Sequence, residues 1–366
     1  MELKELQQEA IDLLKKLIST PSFSGEEGET ASLLEDWFSH RGIAWKRQDN
    51  NVWALNRHFD PVKPTLLMNS HHDTVKPNSG YSRDPFVPDI MEGKLYGLGS
   101  NDAGGCLVSL LAAFTWLYER NDLGYNLLFA GTAEEEVNGS HGIASVLSSF
   151  PEIEAAIVGE PTLMKMAVAE MGLVVFDAVV KGTPSHAAHP NSDNPIYKSA
   201  KVLQWFENLT FDRVSEELGA VKPTVTQIRA GEQHNVVPGQ VEMVIDVRVN
   251  ERYTNAEIQK ILQDSAPVDH IQARSLRLGS SSIPLDHPLV KAGYSLGMES
   301  YGSPTLSDQA MLNCPSLKLG PGDSRRSHSA DEFIYVAEIE SGIEGYIRLL
   351  ESAFSDYNTN SKKDRI

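Results

Sequence analysis

Five stretches of the chain set histidines and acidic residues where an apolar run gives out. "LLMNSHHDTV" brings His71 and Asp73 two residues apart, and "YGLGSNDAGG" holds Asp102 in a glycine-rich turn. "GTAEEEVNG" lines up Glu134, Glu135 and Glu136, "AIVGEPT" fixes Glu160 before a proline, and "GPGDSRRSHSADEFI" supplies His328. Residues i and i+2 share one face of a strand, so Asp73 can support the ring nitrogen of His71 that faces away from a bound metal, while His72 points the other way. Taken singly, these stretches also read as a hydrogen-bonded His-Asp pair, a helix N-cap and a solvated charge run. Taken together, two histidines and several carboxylates form a nitrogen and oxygen donor set that suits zinc.

Donors so far apart in sequence need a scaffold that aims them at one point. Up to about residue 172, apolar strand candidates at "PTLLMNS", "NLLFAGT" and "AAIVGE" alternate with helical stretches such as "ETASLLEDWFSHRG" and "GGCLVSLLAAFTWLYE". Strands separated by helices predict a mostly parallel sheet covered on both faces. Ligands of such sheets bind beyond the carboxyl ends of the strands, which is where the acidic stretches fall. Near residue 173 the pattern becomes strand-helix-strand-strand-helix-strand, the ferredoxin-like split unit. After residue 278 the earlier pattern returns and closes with the helix "EIESGIEGYIRLLESAF". The expectation is an α/β catalytic domain in two pieces, 1–172 and 279–366, with a ferredoxin-like α+β domain inserted at 173–278. The polar tail "DYNTNSKKDRI" is expected to fray.

Composition narrows the partners. With 32 basic against 50 acidic residues the formal net charge is -18, which argues against nucleic acid and anionic membrane surfaces as partners. Cys106 and Cys314 are the only cysteines, too few for a disulfide framework and in keeping with a reducing cytoplasm. The first residues, "MELKELQQEAIDLLKKLIST", carry scattered charges and leucines at helical spacing, the pattern of an amphipathic helix and not of a signal peptide. No apolar stretch approaches the roughly 18 residues needed to span a bilayer.

In this order the motifs resemble those of the dizinc metallopeptidase family that includes acetylornithine deacetylase, succinyl-diaminopimelate desuccinylase and bacterial glutamate carboxypeptidases. "SHHDTV", "GLGSNDAGG", "TAEEEVNG", "VGEPT" and "HSADEF" match its metal-site segments, and "KGTPSHAAHPNSDNPI" the start of its inserted domain. The resemblance implies two zinc ions per subunit, with cobalt or manganese as alternatives. Asp102 would bridge them, His71 and Glu160 completing one site and Glu136 and His328 the other. Glu135 would be the general base and Asp73 the orienting residue. In the inserted domain, His186 resembles a family histidine that reaches the partner subunit's active site and helps hold the oxyanion, while Asn235 and Arg248 match substrate-binding positions. His189, nearby, reads as a surface histidine. The family forms homodimers through that domain.

The implied activity is hydrolysis of the amide bond of an N-acyl amino acid, with N-acetylornithine or N-acetylcitrulline in arginine biosynthesis the leading substrates. Removal of a succinyl group, or cleavage of small peptides, is the alternative. A metal-binding protein without turnover is a third reading, which an intact Glu135 and His186 count against. The chain departs from the family's G-R-G-x-x-D-x-K-G pattern, with Leu98 and Gly104 in the basic positions. Arg325 and Arg326, if they face the cleft, would favour a dicarboxylic acyl group.

Overall fold

The structure, a computed structural model, describes residues 2–355, so the polar tail lies outside the described residues. The chain divides into two compact units. Met1–Val168, Ser282–Tyr301 and Ser307–Ile366 form the larger, and Ala169–Ser281 with Gly302–Leu306 the smaller. Among the described residues, no helix is long and apolar enough to cross a membrane.

The larger unit is organised by its sheet. Thr65–His71 and Asn126–Thr132 are buried along their whole length, as strands covered on both faces must be. Thr65–His71 runs parallel to Asn126–Thr132 on one side and to Ile153–Val158 on the other, and Ser316–Lys318 continues the parallel set beyond Ile153–Val158. Antiparallel strands flank this core: Asn51–Leu55 beside Asn126–Thr132, with Trp45–Gln48 outside it, and Met166–Glu170 beside Ser316–Lys318. These additions are short, with little room for a hydrophobic period to show in the sequence.

Register is what gathers the chemistry. His71 pairs with Thr132, so the strand bearing His71 and the strand leading to the three glutamates end level. Asn69 pairs with Val158, which brings Glu160, two residues on, to the same edge. A slip of one residue would turn each side chain to the opposite face.

Helices cover the sheet. Leu3–Ile18 buries Leu6, Ala10, Leu14 and Leu17 along one stripe, with Glu5 in its first turn and Lys15 and Lys16 in its last, both favourable to the helix dipole. Gly105–Leu117 is buried all round, which its run of apolar and small side chains permits. Cys106 is a core residue there and Cys314 is half-buried.

The main sheet of the smaller unit has four antiparallel strands in the order Lys222–Ala230, Gln240–Val249, Gly172–Lys181, His270–Ala273. Helices Pro195–Asn208 and Asn255–Ser265 complete the ferredoxin-like arrangement. Both begin on capping residues: Asn194 accepts the Ile196 N–H, and Thr254 forms a capping box with Glu257. Period-two burial places Val174, Phe176, Ala178 and Val180 against Val241, Met243, Ile245 and Val247 in a separate core.

Candidate metal centre

At the common edge of the parallel strands the structure brings His71, Asp102, Glu135, Glu136, Glu160 and His328 together. Asp102 stands between the histidines: Oδ1 is 3.4 Å from His71 Nε2, and Oδ2 is 3.6 Å from His328 Nε2. Glu160 Oε1 lies 3.7 Å and Glu135 Oε2 3.9 Å from His71 Nε2, while Glu136 Oε2 is 3.0 Å from His328 Nε2. Two groupings have ligand atoms all within 4.8 Å of one another: His71, Asp102 and Glu136, and His71, Glu135 and Glu160.

The histidine's own bonding fits a metal. His71 Nδ1 faces the main-chain oxygen of Asp73 at 3.1 Å, so its N–H donates there and leaves Nε2 bare. That Nε2 is buried and makes no hydrogen bond. A buried ring nitrogen without a hydrogen-bond partner, set among carboxylates, calls for a cation there, a proton or a metal ion. The Asp73 carboxylate lies 3.3 Å from the same Nδ1. It accepts the N–H groups of Glu135 and Glu136, each at 3.1 Å, and the Ser24 hydroxyl at 2.7 Å. One residue therefore fixes a histidine on one strand and two glutamates beyond another.

His72 turns away, as alternation requires, with Nδ1 2.9 Å from Thr30 Oγ1 and Nε2 2.9 Å from the Asn50 oxygen. Glu134 separates from its two neighbours through a left-handed φ of 54°. Its carboxylate accepts the His141 N–H at 2.9 Å and its own N–H donates to Glu27 at 3.2 Å. Gly139 is required beside it, because a Cβ there would lie 1.9 Å from Glu134 Oε2.

Charge is concentrated here beyond what protein groups neutralise. Burial would lower the His71 imidazole, but Glu135, Asp102 and Asp73 outweigh it and hold it well above its ordinary value. Burial and the neighbouring Glu160, Asp308 and Glu136 push Glu135 well up. Burial, with Asp102 beside it, pushes Glu160 up to about 8, although Lys318 and His71 oppose this. Asp102 and Asp73 stay below the usual carboxylate range because contacts to His71 and nearby donors overcome their burial. The hydrogen bond to Glu136 raises His328 to about 9.

Several buried groups were not singled out in the sequence. Asp308 accepts the Thr132 hydroxyl at 2.7 Å, and burial lifts it to about 6. Glu27 accepts N–H groups from Gly25 and Glu134 and the Asn50 amide. Glu332 faces the Asp102 turn. None of these acids belongs to the groupings around His71, and burial is the signal that reveals them. Arg325 and Arg326 each pair with an acid of their own chain, Arg325 staying 85% exposed while Arg326 is largely covered. Arg325 holds Asp323 at 2.6 Å, and Arg326 holds Glu338 at 2.6 and 3.0 Å.

His186 is exposed on the two-residue strand Ser185–His186, and its Nδ1 accepts the Ala188 N–H at 3.1 Å. The His189 ring, exposed as well, lies 5.7 Å away. Asn235 is exposed and its main-chain oxygen accepts the Ala187 N–H at 2.9 Å. Arg248 donates to Asp246 through Nε at 2.9 Å and Nη2 at 3.2 Å, two residues along one strand face.

Histidines and carboxylates gathered at the end of a parallel sheet define the class, a metal-dependent hydrolase. Residues 67–352 match the description Peptidase family M20/M25/M40, and the chain belongs to that family of amide-cleaving metallohydrolases. It is 28% identical over 265 residues to a succinyl-diaminopimelate desuccinylase from Sulfurovum sp., covering 69% of this chain and 71% of that one. It is 27% identical over 376 residues to an acetylornithine deacetylase from Proteus mirabilis, covering 93% and 96%. In fold it is similar to an aminopeptidase from Bacillus cereus, with a TM-score of 0.74, 18% identity and coverage of 95% and 98%. A Bacillus subtilis protein described as a dinuclear metal binding peptidase gives 0.72 at 16% identity, covering 96% and 99%.

Proposed function

We propose that this chain is a dinuclear deacylase that hydrolyses the amide bond of an N-acyl amino acid, with N-acetylornithine or N-acetylcitrulline in arginine biosynthesis as its substrate. The reading rests on one observation: Asp102 presents one oxygen to each of two histidines, each histidine having a further glutamate beside it. His71, Asp102 and Glu160 would hold one ion, and Asp102, Glu136 and His328 the other. Zinc suits this donor set, as do cobalt and manganese. When bound, such ions acidify an attacking water and polarise the scissile carbonyl.

The protein's part is proton handling and positioning. Glu135 removes the proton from the attacking water and returns it to the leaving amine. Burial and neighbouring acids push its value up, and two divalent charges beside Glu160 and Glu136 would draw it down, so the base is ionised when the ligands are filled. Asp73 keeps Glu135 in place through its backbone. His186, on the inserted domain, donates to the developing oxyanion in the partner subunit of a homodimer. Asn235 and Arg248 bind the amino-acid part of the substrate, Arg248 through its α-carboxylate. The enzyme works in the cytoplasm.

An uncharged acyl group is favoured because Arg326 is largely covered and held by Glu338. The name of the Sulfurovum relative keeps desuccinylation as the second reading. The test is kcat/KM for zinc-loaded enzyme on N-acetylornithine, N-acetylcitrulline, N-succinyl-diaminopimelate and small dipeptides. The acetyl substrates should lead; faster turnover of the succinyl substrate or of a dipeptide overturns the assignment.

A further inference from the structure

Glu332 follows His328 by four residues and is only 2% exposed. Its Oε1 accepts the N–H groups of Asn101 at 2.8 Å and Asp102 at 2.9 Å, and its Oε2 that of Gly99 at 3.1 Å. Its main-chain oxygen accepts the Gly97 N–H at 3.0 Å. The turn so held has no freedom to rebuild itself with other side chains. Gly99 takes a φ of 73°, and a Cβ there would lie 2.5 Å from Thr74 Cγ2. The segment carrying His328 is anchored in turn, as Asp331 accepts the N–H groups of Ser82 at 2.9 Å and Arg83 at 3.0 Å.

A second buried acid beside Asp102 is a costly choice for a purely structural clamp, because two like charges repel in a medium that screens them poorly. Its advantage is geometric. A carboxylate offers two acceptor oxygens and no hydrogens, so it can take three converging N–H groups; an amide has one acceptor oxygen and would set its own hydrogens against one of them. We propose that Glu332 is a positioning residue for the metal centre, tying the Gly99–Asp102 turn to the segment that carries His328 and so presetting the space between those two ligands. This rests on the metal-centre reading above. Outer partners of this kind act through metal affinity more than through substrate binding.

The test compares wild type, E332Q and E332D after removal of metal by a chelator. Affinity for Zn²⁺ is measured by competition with a chromophoric chelator, the Co²⁺ visible spectrum reports ligand geometry, and kcat and KM are taken at saturating metal. E332Q keeps the shape without the charge, and E332D keeps the charge but withdraws the oxygens by one methylene. Both should lose roughly 10–100-fold in affinity for at least one ion, with an altered Co²⁺ spectrum, kcat lowered and KM unchanged. Wild-type affinity and spectrum in both variants would overturn the proposal. So would a wild-type E332D beside a weakened E332Q, which signals charge acting at a distance. Failure of both variants to fold, by circular dichroism, would assign Glu332 to the whole fold and overturn it too. A wild-type protein that takes up no divalent ion overturns this proposal and the metal reading together, an outcome distinct from the others.

Discussion

In the smaller unit, Arg274 meets Asp177 at 2.8 Å and Arg213 meets Glu257 at 2.8 Å, each side chain at least 43% exposed. Every one of these charges has an opposite partner and water around it. In the larger unit, Glu135 and Glu160 lie close to His71 with side chains only 12% and 13% exposed, and Asp308 and Glu332 are buried as well. Burial raises all four of these acids above their ordinary values. Surface pairs solve their electrostatics locally and contribute little. The buried cluster leaves its own unsolved, and a fold keeps such a cost where a cation or a reaction makes use of it.

The hardest blow to that contrast should come from E135Q. It should lower kcat by roughly 10²–10⁴-fold while metal content and melting temperature stay close to wild type. Near-normal turnover on N-acetylornithine would remove Glu135 from the base's role. The next test asks whether the smaller unit is electrostatically idle. H186A should lower kcat by roughly 10²–10³-fold if the histidine holds the oxyanion, with little change in KM. An unaffected kcat would leave that unit's polar groups without a part in the chemistry.

A third prediction concerns the protein stripped of metal. Folded Glu160 near 8 and Asp308 near 6 lie above their unfolded values of 4.5 and 3.8, and His328 near 9 lies above 6.5. The folded state thus holds more protons than the unfolded state across this range, and stability must fall as pH rises. The His328 contribution is fully present below its unfolded value and disappears through about 9. The metal-free melting temperature should drop by several degrees from about pH 5.5 to about pH 8.5, and metal should flatten the trend by replacing the protons. A metal-free protein whose melting temperature climbs over that range would show the cluster to be ordinary. The smallest effect belongs to R274A, which should alter stability by no more than about 0.5 kcal/mol in urea unfolding. A larger loss would erase the distinction between the two regions.

Much of this was readable in the chain itself. The apolar runs ending in "SHHDTV", "GTAEEEVNG" and "VGEPT" announced buried strands with chemistry at their ends, because a strand covered on both faces has few polar residues until it leaves the sheet. The strand and helix order of the smaller unit followed from its change of period. Short flanking strands such as Trp45–Gln48 and Asn51–Leu55, and the small sheet of Asp89–Met91, Lys94–Tyr96 and Phe333–Tyr335, left too little pattern to read.

By itself, then, the sequence determined which side chains are available for metal and proton chemistry and which ends of which strands carry them, since residue type and hydrophobic period are local properties. Only the tertiary structure decided how they are held. It made Asp73 the acceptor for the backbone of Glu135 and Glu136, turned Glu134 toward His141, and closed Glu332 on the Asp102 turn. It also paired the exposed Arg325 with Asp323 and the largely covered Arg326 with Glu338. These outcomes join residues from two up to more than 200 positions apart, and register, backbone hydrogen bonding and burial settle them only once the strands lie side by side.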